Sequence, residues 1–267
     1  MHAGAERYIA NGFPCAEIVQ DRAAGAVSMV NTAGVTDRAD TAGMVDMLGM
    51  ANADGKDAQW SASSVSSQKS VRYEVVLPYR ESALEPYISA RAIRRHAGRH
   101  MQRYSEEVTR LCAGPGLAGR NLQAVMTGAH LLGMQRLTAC ACHLHNHQAY
   151  WQSMRSGGGG RPCGALMEAI VRSYGTWENF VSVFRSRALN RLWTGWLWLV
   201  KDGSNVMLMH DAGMSSPVLQ GKTVLLALDM WECAYFMDYG EDREAYVEAF
   251  LGYLADWQAA ERRFAVC

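Results

Sequence analysis

Asp229-Met230-Trp231-Glu232-Cys233-Ala234-Tyr235 decides the fold of this chain, and an apolar run, Val224 to Leu228, leads directly into it. The run predicts a buried β-strand, so a carboxylate stands at the strand's end and a thiol follows four residues later. Carboxylates and thiolates both bind metals, which makes Asp229 and Cys233 candidates for one site. The alternative is an ordinary strand-to-helix turn, with Asp229 as a helix N-cap and Cys233 as a small buried side chain.

Composition limits the class of protein. Of the 267 residues, 49% are hydrophobic, which is enough to form one large domain or two small ones. Lysine plus arginine and aspartate plus glutamate both number 26, so an anionic partner must be bound by a local patch. No apolar run approaches the length of a membrane span. Seven cysteines, an odd number without a C-x-x-C pair, argue against a disulfide framework and indicate a reducing compartment.

Residues 1–70 differ in composition from the rest of the chain. They are rich in Ala, Gly, Asp and Ser, poor in Leu, and end in a serine-rich run, Ser61 to Ser67. We expect a low-complexity N-terminal extension that is extended, or ordered only against a partner. Acidic residues outnumber basic ones in this segment, which does not fit a basic transit peptide.

Two further regions follow, residues 71–155 and 163–267. A long helix begins after Ser89, a suitable N-cap, and ends at Gly114-Pro115-Gly116. A second long helix runs from Leu137 to Arg155, and the run Gly157 to Gly160 then marks a hinge and domain boundary.

The third region is predicted to be two helices and then a small sheet with flanking helices, which is an α+β arrangement. The predicted helices are Cys163–Tyr174, Trp177–Leu189, Arg243–Leu254 and Asp256–Phe264, and the predicted strands are Leu192–Val200, Asn205–His210 and Val224–Asp229.

Two stripes of residues run along the first long helix. His96, His100 and Tyr104 recur at a four-residue spacing and therefore share a face. The neighbouring face carries four arginines at the same spacing, a row that repels itself by a few tenths of a kcal/mol per pair. These arginines are Arg91, Arg95, Arg99 and Arg103. They form either an ordinary solvated face or a surface that binds anions outside the helix.

The stretch at Asp229 resembles the D-x-W-E-H-A-Y-Y motif of the iron/manganese superoxide dismutases, with Cys233 where the family carries a histidine. Leu77-Pro78-Tyr79 resembles the family's opening segment, and Asn146 to Trp151 resembles its N-H-x-x-Y-W motif. The resemblance extends from Tyr73 to Phe264 and is closest to the iron-type branch. It implies the Fe/Mn superoxide dismutase fold, an N-terminal long helical hairpin plus a C-terminal three-stranded antiparallel sheet with flanking helices.

The resemblance also implies a site. Its four metal ligands are His96, His147, Asp229 and Cys233, and its substrate opening is lined by the catalytic residues His100 and Tyr104. The implied metal is iron, or manganese. Because a thiolate favours softer ions, the alternatives are zinc or no metal.

Several positions around the implied metal depart from the family pattern. The second-shell glutamine of the iron-type branch falls on His143, and its alternative position in the manganese branch falls on Met214. The resemblance implies that Trp231 lies beside the metal. In the family, the glutamate at the position of Glu232 reaches across a dimer to the residue that is here Cys233. A tyrosine that bridges the same dimer is here Phe236, so low or absent dismutase activity is expected.

Two functions of different class follow. The first is a non-catalytic subunit of a large mitochondrial assembly, of the type found in the mitochondrial ribosome small subunit. Its partners are a homo- or heterodimeric dismutase-like chain, ribosomal RNA bound through Arg91, Arg95, Arg99 and Arg103, and neighbouring proteins. The second is an active iron superoxide dismutase that converts superoxide to oxygen and hydrogen peroxide with an altered fourth ligand.

Overall fold

A computed structural model describes residues 72–113, 116–190, 194–211 and 213–266 of the protein. They belong to one compact unit that spans Lys69–Cys267. The predicted N-terminal extension lies outside the described residues. In the part of the chain that is described, none of the helices combines the length and the apolarity that crossing a bilayer requires.

The first helix, α1, consists of three consecutive segments: Ala90–Ile93, a π-helical segment Arg94–His100, and Met101–Cys112. The prediction that Ser89 caps it is confirmed, because the Ser89 side chain accepts a hydrogen bond from the backbone N–H of Ala92. The helix ends just before the predicted glycine-proline break.

Two helices, not one, complete the N-terminal half: α2, Leu122–Leu131, and α3, Gln135–Trp151. The prediction that α3 continues to Arg155 was wrong. The backbone N–H of Arg155 instead donates to the carbonyl oxygen of Leu254, and Met154 forms an antiparallel bridge with Ala255. These tertiary hydrogen bonds replace the helical ones.

The glycine run between α3 and α4 packs closely against the C-terminal part of the chain. Gly159 donates its N–H to the carbonyl oxygen of Ala255 at 2.9 Å. A Cβ atom at Gly159 would lie 2.0 Å from the carbonyl oxygen of Gly252, so only glycine fits there. Helices α4, Gly164–Tyr174, and α5, Trp177–Ala188, then follow as predicted.

Strands β1, Trp196–Asp202, β2, Asn205–Asp211, and β3, Thr223–Asp229, form an antiparallel sheet in the order β2-β1-β3. The first strand begins later than predicted, after Gly195, whose φ of 125° is outside the strand region.

A short 3₁₀ turn, Pro217–Gln220, precedes β3. Helix α6, Glu232–Tyr239, follows β3, and α7, Arg243–Ala249, continues into a π-helical segment, Phe250–Leu254. Helix α8, Trp257–Ala265, ends the described chain.

A large apolar core joins the sheet to the helices around it, and a smaller core lies among α1, α2 and α3. The α+β fold class is confirmed.

Candidate metal centre

Three buried side chains from three different elements meet at one point: His96 of α1, His147 of α3 and Asp229 at the end of β3. The Nε2 atoms of the two histidines lie 3.1 Å apart. Oδ2 of Asp229 lies 3.4 Å from Nε2 of His96 and 3.5 Å from Nε2 of His147. The three residues are 3%, 0% and 0% exposed, so bulk solvent does not compensate their polar atoms. We call this group the His-His-Asp triangle.

Hydrogen bonds outside the triangle hold its members in place. Nδ1 of His147 donates to the carbonyl oxygen of His143 at 2.8 Å, which leaves the lone pair of Nε2 directed into the triangle. Oδ1 of Asp229 accepts the backbone N–H of Trp231 at 2.9 Å, and the hydroxyl of Tyr246 donates to the backbone carbonyl of Asp229 at 2.9 Å. The acceptor atoms of His147 and Asp229 are therefore fixed before any ligand arrives.

The triangle fits a transition-metal ion. Oδ2 of Asp229 is buried without a hydrogen-bond partner, a situation that costs about 1–3 kcal/mol or more for a polar group. Bonds of about 2.1 Å from one metal to nitrogen and oxygen would separate neighbouring ligand atoms by about 3.0–3.4 Å. Two of the observed separations, 3.1 and 3.4 Å, lie in that range, and the third, 3.5 Å, exceeds it only slightly. Two imidazole nitrogens and one carboxylate oxygen are also donors that iron and manganese accept.

Burial determines the charge of the metal-free triangle. It lowers the pKa of His96 well below its usual range, and the neighbouring His147 and His100 lower it further. Burial likewise lowers the pKa of His147 to about 3, although the hydrogen bond to His143 acts in the opposite direction. Burial raises the pKa of Asp229 well above its usual range. At neutral pH the imidazoles are thus uncharged, which is the form that binds a metal, whereas burial disfavours the ionised carboxylate that a metal would stabilise.

Cys233 lies in the first turn of α6 and is solvent-exposed, so the alternative of a small buried side chain was wrong. Its sulfur lies within 4.8 Å of the ligand atoms of His96 and Asp229. Although the residue is exposed, partial desolvation of the thiol raises its pKa, and the Asp229 carboxylate raises it further. Trp231, not Asp229, occupies the N-cap position of α6.

A second group of rings lies against the triangle. The ring centroids of Tyr104 and His143 are 3.9 Å apart, and those of His100 and Tyr104 are 5.7 Å apart. His143 is also 4.4 Å from His147, centroid to centroid, and its buried Nε2 has no hydrogen-bond partner. The predicted residues His100, Tyr104 and His143 are therefore brought together next to the predicted ligands.

The other predicted site residues lie farther out. Trp231 is partly buried against the large core, and Glu232 is exposed at the start of α6. Met214 lines a surface groove together with His130 and Thr138, near the turn between α2 and α3.

The four arginines predicted to bind RNA or a partner are all exposed along α1: Arg91, Arg95, Arg99 and Arg103. Burial lowers the pKa of His100, and the nearby charge of Arg103 lowers it further. Arg103 therefore lies near the predicted substrate opening.

Comparison with known families agrees with this geometry. Residues 72–155 match the alpha-hairpin domain of iron/manganese superoxide dismutases, and residues 162–263 match the C-terminal domain of the same enzymes. The chain belongs to the iron/manganese superoxide dismutase family. The metal class of that family is iron or manganese, as the names of its members state.

Curated relatives of this dismutase-family chain are found in bacteria and chloroplasts. The iron superoxide dismutase of Synechococcus elongatus is 33% identical over 195 residues, covering 72% of this chain and 97% of the relative. That of Escherichia coli K12 is 32% identical over 190 residues, covering 71% and 96%. The chloroplastic iron superoxide dismutase 2 of rice is 34% identical over 189 residues, covering 70% and 74%.

Two buried tyrosines beside the His-His-Asp triangle were not predicted as site residues. The hydroxyls of Tyr150 and Tyr246 lie 2.9 Å apart, and because Tyr246 donates to the backbone of Asp229, Tyr150 donates to Tyr246. Tyr150 belongs to the N-H-x-x-Y-W motif, Asn146 to Trp151. Tyr246 could have been found from its place on the apolar side of a C-terminal helix. A tyrosine buried there needs a hydrogen-bond partner for its hydroxyl.

Proposed function

We propose that this chain holds one iron ion, or one manganese ion, in its His-His-Asp triangle and disproportionates superoxide there at a low rate. The observation that carries the proposal is the partnerless Oδ2 of Asp229 between two imidazole nitrogens. An uncompensated buried carboxylate costs several kcal/mol, and a bound cation would remove that cost.

Cys233 is the proposed fourth ligand, at the position where the family carries a histidine. Its sulfur is close enough for a small movement to bring it to a metal in the triangle. A thiolate adds a second negative charge beside Asp229, which stabilises the higher oxidation state of a metal and lowers its reduction potential. Because thiolates also favour soft ions, zinc is the competing occupant.

A bound redox metal would supply the one-electron steps that convert superoxide to oxygen and to hydrogen peroxide. The protein side chains attract the anion and deliver protons. Arg103, near His100, attracts a negative substrate to the opening. Burial raises the pKa of Tyr104, so its Oη holds a proton at neutral pH and can donate a hydrogen bond to the substrate.

The low rate follows from two positions that tune the metal in the family. His143 stands where the iron-type branch has a glutamine, and burial lowers its pKa so that it is neutral. Met214, at the corresponding manganese-branch position, has no hydrogen to donate and lines a separate groove. Without an amide donor, neither the potential of the metal nor the pKa of its bound solvent would be set as in the family.

A second candidate function is that of a non-catalytic subunit of a large mitochondrial assembly, of the mitochondrial ribosome small-subunit type. The four exposed arginines of α1 favour it, since ribosomal RNA and acidic proteins are anionic partners. The mitochondrial location belongs to this candidate alone.

Both candidates include a dimer with a second copy or with another dismutase-like chain. Two apolar residues of helix α6 are exposed next to Cys233 and Glu232. Phe236 is 54% exposed and Met237 is 37% exposed. Exposed apolar residues rimmed by polar ones are typical of protein interfaces. Phe236 has no hydroxyl, so the tyrosine-mediated bridge that the family resemblance implies is missing.

The test is superoxide consumption by the purified full-length chain after loading with iron. We expect a measurable rate, well below that of the Escherichia coli iron enzyme assayed in parallel, and no metal-dependent rate in the His147→Ala variant. Equal rates in the wild type and in His147→Ala, with iron bound to the wild type, would leave the structural candidate as the function.

A further inference from the structure

Helix α1 presents four exposed arginines, which we call the arginine surface: Arg91, Arg95, Arg99 and Arg103. Among the described residues, none of the four forms a hydrogen bond or an ion pair with an acidic side chain. Two other arginines of the same helix form ion pairs: Arg94 pairs with Glu81 at 2.8 Å, and Arg110 pairs with Glu107 at 2.8 Å. The arginine surface therefore retains four charges for an anion from outside the described fold.

The π-helical segment Arg94–His100 keeps the arginines in register. In an α-helix a four-residue step turns about 400°, so successive arginines drift by about 40° around the axis. The wider π-helical turn rotates less per residue, and it contains both Arg95 and Arg99. It therefore counters the drift, leaving a row of charges about 6 Å apart and about 18 Å long.

Attraction of superoxide does not account for the whole row. Arg103 lies near His100 and can attract a small anion to the metal site. Arg91 is about 18 Å farther along the helix, whereas charges on a protein surface are screened over about 8 Å at physiological ionic strength. Arg91 and Arg95 therefore add little to attraction at the opening. The arginine surface as a whole is complementary to a partner that carries a row of negative charges.

A groove of about 740 Å³ runs beside the arginine surface. Arg99 lies on its edge, and Arg72 and Gly98 also line it. Glu74 and Glu106 are in the same lining, so phosphates are expected to stay on the arginine side while sugars or bases enter the groove.

We propose that the arginine surface binds the phosphate backbone of a single-stranded nucleic acid, without reading its base sequence. Successive arginines about one helical turn apart can each meet a successive phosphate of an extended strand. Contacts of this kind position a protein on the strand but carry no sequence information. The site is separate from the His-His-Asp triangle and needs no metal.

The test measures binding of a labelled oligouridylate to the full-length chain by fluorescence anisotropy as the salt concentration is raised. Four phosphate contacts predict a slope of about −3 in log K against log salt, and about a 50-fold loss of affinity over a fourfold rise in salt. The variant Arg95→Gln with Arg99→Gln should halve the slope, so that the same rise in salt costs about 7-fold.

The matched control is Arg94→Gln with Arg136→Gln, which removes the same charge from two exposed arginines that lie outside the groove and already have acidic partners. Arg94 pairs with Glu81 at 2.8 Å and Arg136 pairs with Glu107 at 2.7 Å. The control should keep the wild-type slope. No binding by the wild type, or an equal loss of slope in the control, would overturn the proposal. Binding of polyglutamate but not of oligonucleotides would also overturn it and indicate an acidic protein partner instead.

The same measurement on His147→Ala keeps the two proposals apart. Loss of metal with unchanged oligouridylate binding would leave the arginine surface supported even if the dismutase proposal failed.

Discussion

At the scale of single residues, Cys233 determines how the site responds to pH. Burial and the neighbouring Asp229 raise the pKa of its thiol, so the thiol keeps its proton at neutral pH when no metal is bound. The imidazoles have lowered pKa values and are neutral, so metal binding releases no net proton from them. Metal binding to the thiolate should therefore release the proton of Cys233, and affinity should rise with pH by about tenfold per unit for that proton.

Titration calorimetry in buffers of different protonation enthalpy measures that release. The Cys233→Ser variant should release about one proton fewer than the wild type, because a serine hydroxyl keeps its proton. Identical release from both proteins would show that Cys233 is not a ligand.

Replacing Cys233 by histidine gives a second prediction. Cys233→His supplies a neutral fourth ligand, so iron should bind more tightly and the reduction potential of the site should rise. The rate of superoxide consumption should stay low, because His143 and Met214 still occupy the tuning positions. The double variant Cys233→His with His143→Gln should be faster than Cys233→His alone. Full family-level activity in Cys233→His alone would contradict this assignment of roles.

At the scale of elements, the glycine run before α4 is a packing feature. Gly159 and Gly160 both have positive φ values, 80° and 76°, so alanine strains the backbone similarly at either position, by about 1–2 kcal/mol. Only Gly159 lies against the backbone of Gly252, whereas a Cβ at Gly160 meets nothing within 4 Å. Gly159→Ala should therefore lose several kcal/mol more in the free energy of unfolding, measured by denaturant titration, than Gly160→Ala. Equal losses would show that the chain can move away from the contact.

Elements governed by local signals could be predicted from the sequence. Ser89 caps α1, Gly175 separates α4 from α5, and the Gly203 turn joins β1 to β2, and each signal lies within a few residues of its effect. The end of α3 could not be predicted, because it depends on the carbonyl group of Leu254 and the backbone N–H of Asp256, about a hundred residues away.

At the scale of the whole molecule, the site is built from segments that are far apart in sequence. His96, His147 and Asp229 could be selected only by resemblance to a family, since no local spacing relates them. What the resemblance could not supply is the environment: the exposure of Cys233 and the partnerless Oδ2 of Asp229 depend on how the elements pack.

The metal content of the full-length protein tests the central claim most directly. After anaerobic loading with iron(II) and removal of unbound metal, elemental analysis should find about one iron ion per chain. The Asp229→Asn variant should retain at least about tenfold less, because the amide cannot supply the negative charge. His130→Ala, which removes an exposed histidine of α2, should bind as the wild type does. Wild-type protein without iron, or equal iron in the wild type and in a folded Asp229→Asn variant, would contradict the claim that the His-His-Asp triangle is a metal site.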